Sequence, residues 1–255
     1  MSRIKTLFQH KQQRVLNVYC TAGYPQLQST LPVMQALQGN GADIIELGMP
    51  YSDPLADGPI IQASNKQALD NGMSIDFLFQ QLKDFRKHIN IPVILMGYIN
   101  PVMQYGFEKF CAAASEVGID GLILPDLPPY EFEKEYKQIT EEYGLDIIFL
   151  VTPQTTDERI KLLDSLSTGF LYAVSSAAVT GKDIDENTVI NYLQRLQSLN
   201  LSNPVLTGFG IKDKQSFNAV CKHSNGAVIG SAYIKALQNS SDIEATTATF
   251  LSTIL

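Results

Sequence analysis

Three carboxylates, Glu46, Asp53 and Asp57, crowd into the stretch Glu46-Leu47-Gly48-Met49-Pro50-Tyr51-Ser52-Asp53-Pro54-Leu55-Ala56-Asp57-Gly58-Pro59. Carboxylates in different surroundings are equipment for acid–base catalysis, because the environment can leave one protonated and another ionised at neutral pH. Glu46 interrupts an apolar, β-branched run, Asp43-Ile44-Ile45-Glu46-Leu47-Gly48, that reads as a buried strand. Alternation along a strand puts Ile44, Glu46 and Gly48 on one face and Ile45 and Leu47 on the other. With Ile45 and Leu47 against a covering helix, Glu46 points into whatever the sheet encloses, where its pKa should rise. Asp53 and Asp57 follow in a loop punctuated by Pro50, Pro54, Gly58 and Pro59. Aspartate beside Pro and Gly is also an ordinary turn former, so for these two the structural and the catalytic readings both stand.

The elements that must hold this stretch recur along the whole chain. Residues 2 to about 10 form a short amphipathic lead-in helix, and Val15 to Thr21 a first strand. A helix over Gln28 to Asn40 leads to the Glu46 strand. Beyond it come a short helix from Ile61 to Leu69 and a longer one from Ile75 to His88. Further strands fall at Ile91–Tyr98, Gly121–Leu124, Asp146–Val151, Gly169–Val174, Pro204–Thr207 and Gly226–Gly230. Helices separate them at Phe107–Val117 and at residues 130–143, 156–165, 187–198 and 213–223, and a last helix starts near residue 243. Eight strand–helix units in about 250 residues match a (β/α)8 TIM barrel. A doubly wound sheet is the competitor, but the first strand lacks the Gly-x-Gly-x-x-Gly turn of its nucleotide-binding form. Nothing divides the chain, so residues 1–255 read as a single barrel domain with a short lead-in helix.

In such a barrel the active site lies at the C-terminal strand ends, and phosphate binds in the loops after strands seven and eight. Those exits read Thr207-Gly208-Phe209-Gly210-Ile211 and Ile229-Gly230-Ser231-Ala232. Their glycines allow close backbone approach to an anion, and Ser231 adds a hydroxyl; Gly-rich exits also serve simply as turns. The sixth exit, Ser175 to Lys182, is small and polar, either a lid or an ordinary loop. Tyr19, Tyr98 and Tyr172 fall at or near strand ends, as the wall of a mouth for a planar ring or as core and rim residues. Together these features suit a phosphorylated substrate with a hydrophobic ring, and carboxylate acid–base chemistry without metal or cofactor.

Composition is that of a soluble globular chain: 45% hydrophobic, 18% charged, net charge −7 over 255 residues. That balance disfavours a nucleic-acid or anionic-membrane partner. The three cysteines, Cys20, Cys111 and Cys221, lack Cys-x-x-Cys spacing and suit reduced thiols in a cytoplasmic protein. His10, His88 and His223 lack the spacing of a metal site. The basic N-terminus has no apolar run after it, so no secretory signal is expected, nor any membrane span.

The carboxylate stretch, continued by Ile61-Gln62, resembles the signature of the tryptophan synthase alpha subunit family. The likeness runs end to end, through Met96-Gly97-Tyr98-Ile99-Asn100-Pro101, Gly121-Leu122-Ile123-Leu124-Pro125-Asp126-Leu127-Pro128, Val179-Thr180-Gly181, Gly208-Phe209-Gly210-Ile211 and Gly230-Ser231-Ala232. The resemblance implies a barrel lyase that cleaves indole-3-glycerol phosphate to indole and glyceraldehyde 3-phosphate. It implies catalytic roles for Glu46 and Asp57. It places Gly181, Phe209, Gly210, Gly230 and Ser231 around phosphate and substrate, Tyr172 in support of the catalytic glutamate region and Thr180 on a mobile lid, beside Tyr19 and Tyr98 as the strand-end candidates for substrate binding. It also implies an α2β2 complex whose β subunit carries pyridoxal phosphate and receives indole through a tunnel, with Pro50, Asp53, Asn100 and Pro128 facing that partner. One departure concerns the lid, which reads Ala178-Val179-Thr180-Gly181 where the family usually begins with glycine. Three further readings compete: a stand-alone lyase that releases free indole, an inactive barrel that only binds a β subunit, and a phosphosugar isomerase. The last leaves the Pro-rich acidic loop unexplained.

Overall fold

The computed structural model describes residues 2–174, 186–208, 210–211 and 213–255. Nine parallel strand segments form one sheet among the described residues: β1 (Val15–Thr21), β2 (Ile44–Gly48), β3 (Val93–Met96), β4 (Gly121–Ile123), β5 (Asp146–Ile147), β6 (Leu150–Val151), β7 (Leu171–Ala173), β8 (Val205–Thr207) and β9 (Gly226–Ile229). Their order, β5-β4-β3-β2-β1-β9-β8-β7-β6, ends on two segments that are neighbours in sequence. The residues between them join the ends. Ile148 N donates to Leu122 O beside β4, and Tyr172 N donates to Phe149 O beside β6. The expected fifth strand, Asp146 to Val151, therefore serves one neighbour with its first half and the other with its second. Eight barrel strands result, and the fold is the expected (β/α)8 barrel.

Each strand is followed by helix: α2 (Thr30–Gly39), α3 (Pro59–Asp70) and α4 (Ile75–Leu82), α5 (Ile99–Tyr105) and α6 (Phe107–Val117), and, after β4, α7 (Pro129–Glu131) and α8 (Lys137–Glu142). Then come α9 (Asp157–Leu166), α10 (Glu186–Ser198), α11 (Lys214–Cys221), α12 (Ser231–Leu237) and α13 (Ile243–Ser252), while α1 (Arg3–His10) precedes the barrel. The stops are local chemistry. Gly118 ends α6 in the left-handed conformation, and Ser74, Thr156 and Asp242 cap α4, α9 and α13 by accepting backbone N–H bonds. Pro59 opens α3 at the position where its missing N–H leaves no bond unmade.

Several expected boundaries moved. The helix expected from Ile75 to His88 ends at Leu82 and resumes as a 3-10 turn over Phe85–Lys87. The helix over 130–143 is a composite, with a π-helical stretch at Phe132–Tyr136 between α7 and α8. Two short helices, α5 and α12, occupy stretches that read as loop, because Pro101 and Gly230-Ser231 are turn-like residues in a short window. In each, the turn-like residues sit at the start, where a helix tolerates them.

Side-chain alternation divides the core in two. Inside the barrel Val15, Ile44, Ile94, Ile123, Ile148, Leu206 and Val228 pack together, and Ile4 of α1 joins them with Phe170. Ile45 and Leu47 face outward into the larger core between sheet and helices, as the alternation of β2 requires. Asp120, 4% exposed, accepts from Val93 N (2.8 Å) and Arg3 Nη1 (2.9 Å), and pairs with Arg86. Arg86 also donates to Gly118 O (2.9 Å) and Ile91 O (2.7 Å). Replacing Arg86 by Met would leave the buried Asp120 with the half-exposed Arg3 as its remaining cationic partner and take a donor from two carbonyls. The expected loss is about 3 kcal/mol, read as a lower urea midpoint at unchanged m-value; a loss below about 1 kcal/mol would mean Asp120 is adequately solvated without it.

Candidate active site

Glu46 lies on the inward face of β2 and is 1% exposed. Burial pushes its pKa up to about 8; a hydrogen bond from Asn17 works against this, and the charge of Asp57 adds to it. Asn17 sits inward on β1, where its Nδ2 donates to Glu46 Oε2 at 2.8 Å. Sequence reasoning did not single out Asn17. Its signal was there, a polar residue in an apolar strand, two positions before Tyr19 and so on the same face.

Asp57 comes from the loop between β2 and α3 and is 9% exposed. Burial raises its pKa to about 6, opposed by the hydrogen bond that Tyr98 Oη donates to Oδ2 at 3.1 Å. Ala56 N donates to the same Tyr98 oxygen at 3.0 Å, so Tyr98 ties the loop to the exit of β3. Tyr51 packs on Tyr98 with ring centroids 5.4 Å apart, and Asn100 Nδ2 donates to Tyr51 Oη at 3.0 Å. Tyr98 was expected around substrate; its hydroxyl is here a clamp on Asp57.

Tyr19 and Tyr172 are fitted over glycines. A Cβ on Gly48 would stand 2.2 Å from Tyr19 Oη, and one on Gly208 would stand 2.7 Å from Tyr172 Oη. Both positions require glycine because a phenol occupies the space a side chain would take. Burial, with the charges of Glu46 and Asp57, holds both phenols protonated. Gly230 caps α12, with Ser231 as its first residue, and an added Cβ there would meet Tyr19 Cβ at 3.4 Å. The eighth-strand exit thus borders the aromatic wall. Gly210, at φ +49°, lies on the seventh exit.

The sequence-derived candidates therefore separate. Glu46, Asp57, Tyr19, Tyr98, Tyr172 and Gly230 converge at the C-terminal mouth. A small cavity lined by Tyr19, Met49, Asp57, Asn65, Met96 and Tyr98 opens beside them. A larger cleft of about 460 Å3 lies away from both carboxylates, where Leu124, Pro125, Phe149 and Leu150 meet the start of α9. Asp53 does not join the two buried acids: it is exposed, and Ser52 Oγ donates to its carboxylate. Pro50 shares that loop; Asn100 is exposed in the first turn of α5, after β3, and Pro128 is exposed just before α7, after β4. Thr180, Gly181, Phe209 and the Ala178 departure lie outside the described residues.

A family model described as tryptophan synthase alpha chain matches residues 5–253. The chain belongs to the tryptophan synthase alpha chain family. It is 52% identical over 241 residues to the tryptophan synthase alpha chain of Flavobacterium johnsoniae, covering 94% of this chain and 95% of that one. Among solved structures it is similar to tryptophan synthase subunit alpha from Legionella pneumophila, with TM-score 0.90 and 33% identity, covering 100% of this chain and 97% of that one. It is also similar to a chain of the tryptophan synthase complex from Pyrococcus furiosus, with TM-score 0.86 and 35% identity, covering 96% and 98%. The alpha chain is a lyase that cleaves indole-3-glycerol phosphate to indole and glyceraldehyde 3-phosphate, and this is the reaction of the present chain. The alpha chain carries no cofactor of its own. Among the described residues no helix is long and apolar enough to cross a membrane.

Raised carboxylate pKa values link the site to stability. Between the ordinary range of a glutamate and pH 8, the folded chain retains a proton that the unfolded chain has released. Stability should therefore fall as pH rises through that window, with a limiting slope of about 1.4 kcal/mol per pH unit from Glu46. Asp57 adds to the fall below its value of about 6. Urea unfolding at a series of pH values should show a shallower decline for Glu46→Gln than for the native chain. Equal slopes would mean that Glu46 titrates as an ordinary carboxyl.

Proposed function

We propose that Glu46 and Asp57 carry the two halves of the cleavage. Supporting this reading is one observation above the rest: two buried carboxyls at one barrel mouth whose pKa values stand apart, at about 8 and about 6. Near neutral pH the first is an acid and the second an anion, the division of labour this reaction needs. The bond to be broken joins indole C3 to the glycerol side chain. Glu46 gives its proton to C3, and the ring nitrogen takes up positive charge that Asp57 stabilises by accepting the indole N–H. Glu46, now a carboxylate, takes the proton from the side-chain hydroxyl. That C–O bond becomes the carbonyl of glyceraldehyde 3-phosphate, and the electrons of the broken C–C bond return to the ring as indole leaves.

Tyr19 and Tyr172 wall the indole, and Tyr98 holds Asp57 in place. Gly181, Phe209, Gly210, Gly230 and Ser231 surround the phosphate end, with Thr180 on the lid. The chain acts as one barrel domain with its lead-in helix, in the cytoplasm. It pairs in an α2β2 assembly with a β subunit that holds pyridoxal phosphate and takes up the indole. Pro50, Asp53, Asn100 and Pro128 face that partner. The segments that follow β2, β3 and β4 also expose Leu55 (83%), Met103 on α5 (45%) and Tyr130 on α7 (72%), apolar side chains suited to burial. The solved tryptophan synthase complex that this chain resembles supports the partnership over a stand-alone lyase.

Indole release from indole-3-glycerol phosphate, with and without a β subunit, tests the proposal. Release should rise sharply with β; release unaffected by β would favour the stand-alone lyase. Glu46→Gln and Asp57→Asn should each lower kcat by about 10²-fold or more. The kcat/KM profile should be a bell with limbs near 6 and 8, since Asp57 must be ionised and Glu46 protonated. Near-native turnover in Glu46→Gln would remove it from the mechanism.

A further inference from the structure

Asn17 is fully buried, at 0% exposure, in a layer of the barrel where its neighbours do not explain it. In the strand register it lies between Ile44 of β2 and Val228 of β9, both members of the apolar interior. An amide there is expensive. Its Oδ1 has no hydrogen-bond partner, a loss of about 1–3 kcal/mol that an aliphatic residue would avoid. Stability alone would favour leucine or valine at this position.

What the amide does accomplish is a single contact. Register pairs Tyr19 with Glu46 and Asn17 with Ile44, so Asn17 approaches Glu46 from one inward layer deeper in the barrel. Its Nδ2 donates to Oε2 at 2.8 Å, the hydrogen bond that the Glu46 carboxyl makes among the described residues. In a neutral carboxyl the carbonyl oxygen is a much stronger acceptor than the hydroxyl oxygen, so the oxygen that accepts an N–H from below is favoured as the unprotonated one. The proton of the neutral carboxyl then belongs on Oε1.

We propose that Asn17 is a positioning residue for Glu46, holding Oε2 from beneath so that Oε1 is the oxygen through which the proton passes to and from substrate. The inference rests on the reading of Glu46 as the acid–base group and deepens it. A carboxyl that must act first as acid and then as base at two atoms of one substrate gains from a fixed rotamer and a defined acidic oxygen. The donor also favours the ionised form, easing release of the proton to indole C3. The other titratable groups within electrostatic reach of Glu46 are Asp57 on the β2–α3 loop, which raises its pKa, and Tyr19 and Cys20 on β1 and Tyr172 on β7, whose pKa values Glu46 raises; none of these is cationic at neutral pH.

The test compares the native chain with Asn17→Leu, which keeps the shape and removes the donor, and Asn17→Asp, which keeps the shape and turns the donor into a like charge. Assays use indole release with a β subunit present. Positioning predicts that kcat falls at least about 10-fold in Asn17→Leu at nearly unchanged KM, with urea stability equal to or above native. The basic limb of kcat/KM should move up by about one pH unit in Asn17→Leu, and further in Asn17→Asp. Titration of ¹³C-labelled glutamate carboxyls by NMR, with Glu46→Gln to assign the resonance, reads the same upward shift without any turnover. A native-like limb and titration in both variants would overturn the proposal. So would a fall in activity that tracks lost stability while the Glu46 titration stays in place, since that marks a merely structural residue. If the native chain released no indole, the reading of the site would fail, and the NMR titration would still decide whether Asn17 governs Glu46.

Discussion

Everything at the mouth of this barrel depends on keeping one carboxyl inside an apolar cylinder. Glu46 shares the inward face of β2 with Ile44, one layer above a core of valine, isoleucine and leucine side chains. Removing a carboxylate from water is costly, and the chain meets the penalty by letting the group stay protonated rather than by supplying a cation. That choice is what makes Glu46 an acid. A lysine or arginine partner would pull its pKa down and leave nothing to donate. None of its described neighbours is cationic: they are an amide, two phenols held protonated by the same burial, and Asp57, whose negative charge raises the Glu46 pKa further.

Asp57 shows the complementary solution. It is on a loop, less deeply buried, and held by a phenolic donor that favours the anion. Two acids from one short stretch thus acquire different protonation states because one is on a strand and the other on a loop. The Tyr98 clamp has a further consequence, since Tyr98 also binds Ala56 N and packs on Tyr51, which Asn100 hydrogen-bonds. The loop bearing Asp57 and the exposed residues around Asn100 therefore form one connected body. A partner that docks on this face acts on residues that hold the anion.

The barrel supports this mouth from the opposite end. Closure comes from a strand that changes partners half-way, and α1 sends Ile4 into the inner core. Asp120, its two arginines and Val93 N tie α1, the turn after α4 and the start of β3 together below the apolar layers. Asp120 at that end is paired with two arginines, whereas Glu46 at the mouth has no cationic partner among the described residues. The glycines follow the same division. Gly118 and Gly106 shape turns, while Gly48 and Gly208 make room for the phenols of the site.

How much of this was written locally can be seen residue by residue. The alternation in Ile44-Ile45-Glu46-Leu47-Gly48 was enough to point Glu46 inward and Ile45 and Leu47 outward, because strand periodicity is a property of neighbouring residues. The helix stop at Gly118 and the starts at Ser74 and Thr156 were legible for the same reason, whereas α3 begins at Pro59, two residues before the expected Ile61. The recurrence of strand and helix was sufficient for the barrel, and the Pro-rich acidic loop was sufficient for the family. Contacts between distant segments were not legible. Asn17 reaches Glu46 across 29 positions and Tyr98 reaches Asp57 across 41, and both pairings exist only once the parallel register of β1, β2 and β3 is set. The sequence by itself determined which residues are acids and which face of a strand they occupy. Only the tertiary structure decided their protonation, because a pKa follows from burial and from donors that other strands bring in.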